Sequence, residues 1–448
     1  MADDPQALRR IDWGACFPFT RLFRIFRLAA NHRNLLLLLL AFTLTYLVGT
    51  AMDRIWRWGG YESDVGIFAE TSERMQYLGA RAAAAAMRGH LIGQGSVGDE
   101  VVPSPPIDPA GYGVFESLFG IAVTKIGLAR EHPLYAGIFG LIMLVIWSLL
   151  GGAVCRIIAV DAALDEKISL REAIGFAREK FIGFLVAPLI PYLLVLVIGI
   201  CLVLGGLIGA IPYVGEIFAG LFFFLALIGG FLIALLVIGA VVGSSLMYPT
   251  IAVEGSDAFD AISRSFSYVL TRPWHTLLYA AVSIVYGAIC YLFARIVVYL
   301  LLAATHLFVG AGMTGFGTWN QHENGLGKLD LMWQMPTFSS LVPRAGAETA
   351  GTEYFASWLI ALWVWVVVGL LYAFVGSLAL SGVTTIYYLL RHDADGTDYE
   401  DVYIDEEDVD LAAPPPPPPT VTEFAAPAED DSIDHDASGS ETGDDVDA

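Results

Sequence analysis

This 448-residue chain has no paired CxxC, no Walker A loop, no GxSxG elbow and no HExxH helix. Thiol redox chemistry, P-loop nucleotide binding, serine hydrolysis and zinc proteolysis therefore have no recognisable carrier. Its four cysteines, Cys16, Cys155, Cys201 and Cys290, include three in or beside apolar runs, and we expect buried thiols rather than a metal or disulfide framework. Charge is scarce at 16% of residues and unevenly placed. Residues 391–448 hold 20 Asp or Glu against Arg391 alone, which leaves 26 acids and 23 Lys or Arg for everything before them. The net charge of -22 thus belongs to a tail and says nothing of the fold.

What is present is apolar length. Hydrophobic residues make up 56% of the chain, mean hydropathy is +0.63, and the apolar runs exceed the roughly 18 residues that a bilayer crossing needs. The fold class this predicts is all-α, a polytopic membrane bundle of six helices. Its spans run from about Asn34 to Met52, Leu134 to Val160, Phe181 to Ile211, Ile217 to Met247, Thr276 to Thr305 and Phe355 to Leu390. Ile211-Pro212-Tyr213-Val214-Gly215 reads as the tight turn of a hairpin, and Pro188 and Pro191 as a kink. Gly205 and Gly209, and Gly239 and Gly243, have the small-xxx-small spacing that lets helices approach closely. Six spans put both termini on one side. The N-terminal arm carries six Lys or Arg and the Arg156–Lys180 loop five, against none in the turn at Pro212, which predicts cytoplasmic termini in a bacterial inner membrane.

The most informative stretch is a polar island, Tyr248–His275, set between two long apolar runs. Ile251-Ala252-Val253 is followed by Glu254, a cap candidate at Ser256, and Asp257 and Asp260 in the first turn of a new helix. The same order occurs earlier in Ile158-Ala159-Val160, Asp161, Ser169 as a cap and Glu172 completing a capping box. This is the pattern of a duplicated hairpin unit introduced by cytoplasmic surface helices. Upstream, Phe19, Leu22, Phe23, Ile25, Phe26, Ala29 and Ala30 share one helical arc, with Arg21, Arg24 and Arg27 on the other. Such a basic amphipathic arm suits a membrane surface, its arginines meeting anionic headgroups of the lipid bilayer.

Three organisational blocks follow: an arm at 1–33, a six-helix domain at 34–390 with outer loops at about 53–133 and 306–354, and a tail at 391–448. The first outer loop holds a helical stretch from about Ser72 to Met87 and then the breaker-rich VVPSPPIDPAGYG. The tail, with its acidic run and Pro414–Pro419, cannot bury a core and is expected to be disordered, with a protein partner as one role for its charge.

The island and the closing segment Thr385–Arg391, followed by Gly396 and Asp398, together resemble the six-helix membrane domain fused in some bacteria to glycerophosphodiester phosphodiesterases. The resemblance covers roughly residues 134–398 and implies helices paired as hairpins, each pair led by a surface helix. The arm at Phe19–Arg33 would be a third such helix. No residues remain for a phosphodiesterase barrel and no catalytic residue maps here.

Candidate chemistry is sparse. Gly310–Gly315 matches GxGxxG but follows a membrane helix rather than a strand, and we expect a loop. His306, His322 and Glu323 have no metal-ligand spacing. Arg295 is the clear charge within a predicted span, and Glu216, at the turn after the third span, is its candidate partner. The expectation is a non-enzymatic membrane protein with no cofactor, no metal and no nucleic-acid partner. The alternative is a transporter or lipid-handling protein.

Overall fold

The computed structural model describes residues 18–58, 66–87, 114–314, 328–338, 340–342 and 351–403. The stretch 101–113, His322, Glu323 and the acidic, proline-containing tail beyond Tyr403 lie outside them. Among the described residues the secondary structure is helical, with no strand.

A short 3-10 turn, Pro18–Arg24, leads into α1 (Ile25–Ala29). Then come α2 (His32–Trp58), α3 (Ile67–Met87), α4 (Val114–Glu131) and α5 (Pro133–Leu164). Three shorter helices follow, α6 (Leu170–Glu179), α7 (Phe181–Val186) and α8 (Leu189–Gly209). The chain continues through α9 (Val214–Glu254), α10 (Ala258–Thr271), α11 (Pro273–Thr314), α12 (Lys328–Met332) and α13 (Thr352–Asp395). Among the described residues six helices, α2, α5, α8, α9, α11 and α13, are long and apolar enough to cross a membrane.

Helix boundaries follow local chemistry. The expected kink is a break, because Pro188 has no N–H to donate and α7 ends at Val186 before α8 resumes at Leu189. The α8–α9 turn forms where expected, with Tyr213 at φ +68°. The capping box is complete: Ser169 Oγ accepts from the Glu172 N–H, and the Glu172 carboxylate accepts from the Ser169 N–H at 2.6 Å. The second cap differs from expectation. Asp257, not Ser256, occupies the N-cap position of α10, and neither makes a side-chain cap bond. Counted from caps at Ser169 and Asp257, Ala173 and Ala261 hold the same helical position, and both are fully buried. Gly310–Thr314, expected as a loop, continues α11 as helix.

The largest mass of buried residues lies at one end of the bundle, where Ala153–Asp161 of α5, Leu246–Val253 of α9 and Thr384–Leu390 of α13 come together with α6 and α10. Both Ile-Ala-Val triplets are in it: Ile158, Ala159, Ile251, Ala252 and Val253 are 0% exposed and Val160 5%. The glycine pair on α9 has a partner here, since a Cβ at Gly239 or Gly243 would stand 2.6 or 2.7 Å from the Phe266 ring of α10. Gly209 likewise admits Ala219 across the hairpin turn, whereas Gly205 faces open space. Towards the other end α8 and α9 touch little but each other.

Candidate functional site

The polar end is where the ionisable groups of distant segments converge, and its centre is the C-terminus of α9. A helix ends with carbonyls that have no partner within it. Here each is met from a different part of the chain: Ile251 O accepts from the Gly255 N–H at 2.9 Å, Ala252 O from the Arg156 guanidinium at 2.9 Å, and Val253 O from the Tyr403 N–H at 2.8 Å. Arg156, 7% exposed, also donates to Tyr403 O at 2.7 Å and lies 4.3 Å over the Phe176 ring. Its charge at a helix C-terminus has the favourable sign. Gly255 supplies the left-handed turn at φ +62°, and a Cβ there would stand 2.7 Å from Tyr403. The carbonyl of the other triplet, Ala159 O, accepts from the Tyr388 hydroxyl at 3.0 Å.

The segment Gly396–Tyr403 is therefore a strap that folds back after α13. Arg391 holds Asp401 at 2.9 Å and its carbonyl at 2.7 Å, and Val402 is 7% exposed. Tyr399 lies between elements, 4.4 Å from His392 and 3.4 Å from the Arg21 guanidinium. Burial raises its hydroxyl above the ordinary tyrosine range.

Beside the strap, Glu254 is almost buried and gathers Arg264 at 2.8 Å, Arg391 at 3.4 Å and the Tyr387 hydroxyl. Arg264 also holds Asp260 at 3.0 Å. The Tyr268 hydroxyl donates to Asp395, and burial followed by that carboxylate raises its pKa. Tyr279 donates to Asp393 at 2.8 Å. These bonds and ion pairs join α9, α10, α11 and α13 around Glu254.

The predicted lipid-facing arginines are placed differently from the expectation. Arg24 meets Asp165 at 2.6 Å, and Arg27 meets Asp165 and, at 3.7 Å, Asp161. The hydrogen bond from Arg27 holds the Asp165 carboxyl below the usual carboxylate range. Arg21 stacks on Tyr399. The arginines thus face protein groups because the arm buries Leu22, Ile25, Leu28 and Ala29 against the bundle, which turns its basic arc towards the end of α5. Phe23 and Phe26 remain outside, against Tyr286, Phe293 and Phe374 of α11 and α13.

The expected Arg295–Glu216 pair is not formed among the described residues. Arg295 donates to Phe338 O at 2.7 Å and to the Tyr291 hydroxyl, pinning the segment after α12 to α11. Glu216 is exposed at the start of α9, which packs on α5, α10 and α13 rather than beside Arg295. At that same end His306 Nε2 lies 3.0 Å from Trp333 O and 3.2 Å from Asp330. Asp53, 5% exposed, caps α3 by accepting from the Phe68 and Ala69 N–H groups and from Tyr135. Cys155 and Cys290 are buried as expected, whereas Cys201 is exposed on α8. Among the described residues no cluster of three or more His, Cys, Asp or Glu is placed to hold a metal ion.

Sequence reasoning missed Arg156 and the strap. The sequence reading places Arg156 among the loop charges and the whole of 391–403 in the tail. The one available signal was the helical continuity of the Arg156 stretch into Ile157–Val160, which places a cation inside an apolar run.

No curated protein and no solved structure matches the chain. One family model does, over residues 114–376, from α4 through most of α13. That match spans more than half of the chain, which therefore belongs to the family described as Domain of unknown function (DUF7847).

Proposed function

We propose that the chain is a non-enzymatic, multi-pass inner-membrane protein with cytoplasmic termini, in which the polar end is a rigid platform that presents the acidic tail to a protein partner. One observation carries this reading: the strap is pinned at Tyr403 by both its N–H and its carbonyl, immediately before the acidic segment begins. A charged tail attached at a fixed point recruits from a fixed position, and its charge favours a basic partner. The arm, whose basic count sets the sidedness, packs at the same end. Glu254, Arg264, Arg391 and Asp401 of that end are engaged with one another, which favours a scaffold over an enzyme. The kinship with phosphodiesterase-fused membrane domains, the duplicated unit and its cytoplasmic helices belong to this proposal, supported by the matched positions of Ala173 and Ala261.

The test is in-cell cross-linking and capture with the full chain beside a chain ending at Tyr403, which keeps the strap. Partners held by the full chain and lost from the shorter one support recruitment; identical partner sets from equal amounts of folded protein refute it. The lipid-handling alternative has one observation in its favour, since the most apolar stretches of α8 and α9 have no residue buried inside the protein. Flux of labelled phospholipid across reconstituted vesicles at the rate of empty vesicles would remove it.

A further inference from the structure

Where the arm crosses the ends of α5 and α13 beside the strap, there is a shallow cleft open to solvent, enclosing about 20 Å³. Leu28, Ala162 and Leu389 form its apolar wall, and Arg21, Arg24, Thr385, Tyr388 and Tyr399 supply the rest. We propose that this cleft binds a phosphate group, that of an anionic phospholipid headgroup. The inference rests on the membrane reading above and deepens it, but does not depend on any partner of the tail.

Three observations point to it. First, the Arg21 guanidinium lies over the Tyr399 ring, 3.4 Å from its centroid, and makes no ion pair or hydrogen bond among the described residues. A guanidinium fixed by stacking keeps its planar donors available, the arrangement suited to phosphate oxygens. The Tyr399 hydroxyl is likewise without a hydrogen-bond partner among the described residues. Second, the other polar groups of the wall are already satisfied: Thr385 donates to Ser381 O, Tyr388 to Ala159 O, and Arg24 pairs with Asp165. The open donors are therefore on Arg21 and Tyr399, with Arg24 adding charge. Third, Phe23 and Phe26 lie exposed on the same arm against membrane-crossing α11 and α13. Aromatic side chains directed into the apolar boundary and arginines directed away from it place the cleft at headgroup depth.

The test uses the full chain, purified in detergent and delipidated, with native mass spectrometry after adding phosphatidylglycerol or phosphatidylcholine, with and without inorganic phosphate. Wild type is expected to retain one phosphatidylglycerol in preference to phosphatidylcholine. Arg21→Gln should lower its occupancy roughly tenfold, as loss of a charge-assisted donor group does. Tyr399→Phe, which keeps the stacking ring, should lower it less. Complete competition by millimolar phosphate would show that the site takes the free ion; resistance to it would assign the intact lipid. Equal binding by wild type, Arg21→Gln and Tyr399→Phe overturns the proposal, as does an equal loss in Lys167→Gln, an exposed cation outside the cleft that reports general surface attraction. Should Arg21→Gln fail to give folded protein by circular dichroism, Tyr399→Phe decides alone.

Discussion

Replacing Arg156 tests the organisation of the polar end most directly. In Arg156→Met a side chain of similar length fills the same space but leaves Ala252 O and Tyr403 O without their donor. Each lost charge-assisted bond to a buried acceptor costs about 1.5–3 kcal/mol, and the stacking on Phe176 adds about 1 kcal/mol. Relief from holding a cation 7% exposed offsets part of this, so the net destabilisation is about 3–5 kcal/mol. The effect is local as well as global. The bond to Tyr403 O alone shifts the opening of the strap by about 1.5–3 kcal/mol, or roughly 10- to 100-fold in the population that a protease reaches. Limited chymotrypsin digestion of the detergent-solubilised chain, read as the rate of cleavage at Tyr403 or Tyr399, measures it. Arg156→Lys keeps the charge but not the fork, and should fall between wild type and Arg156→Met. Wild-type cleavage rates and thermal unfolding in Arg156→Met would refute the reasoning, because the carbonyls would then be satisfied without the guanidinium.

Three further outcomes follow from particular contacts. Gly239→Val pushes a side chain into the Phe266 ring, 2.6 Å from where a Cβ stands, and should destabilise the α9–α10 packing by about 1–3 kcal/mol, whereas Gly205→Val, at open space, should leave thermal unfolding unchanged. Asp165 is held below its ordinary 3.8 by Arg27, so its contribution to holding the arm is full above that value and fades as pH falls through the depressed one. Because its side chain is 59% exposed, the effect stays below about 1 kcal/mol, and the protection of the arm amides from hydrogen exchange, taken relative to the free-peptide rate at each pH, should fall below pH of about 4 in wild type but not in Asp165→Asn. Arg295→Ala should loosen the segment around Phe338 while Glu216→Ala does nothing, the double variant being additive to within about 0.5 kcal/mol; a coupling beyond that would restore the pair that sequence suggested.

The parts of the fold legible in the sequence are those fixed by local rules. Apolar run length located all six long helices, the Pro212 turn joined two of them, and Ser169 with Glu172 announced a capping box that forms as written. Pro188 stopped a helix for the reason any proline does. What could not be read depended on partners far away in the chain. Arg156 lies 96 residues from one of its acceptors and 247 from the other. The strap has the composition of the acidic tail it precedes, and what distinguishes it is the fit of Tyr403 beside Gly255, its bond to the Val253 carbonyl and the donors of Arg156 and Arg391. The arm's arc was correct in phase, but phase does not decide whether protein or lipid covers each side. For Arg295, depth along a helix named a candidate acid but could not show that the α8–α9 hairpin stands elsewhere.

Tyr403 follows all six of the long apolar helices among the described residues, yet it completes the end of α9, made some 150 residues earlier. All six of those helices are therefore made while the carbonyl of Val253 still lacks the donor that the strap brings. A chain ending before Tyr403 keeps all six of those helices but leaves that carbonyl, and one donor of the Arg156 fork, without a partner from the strap.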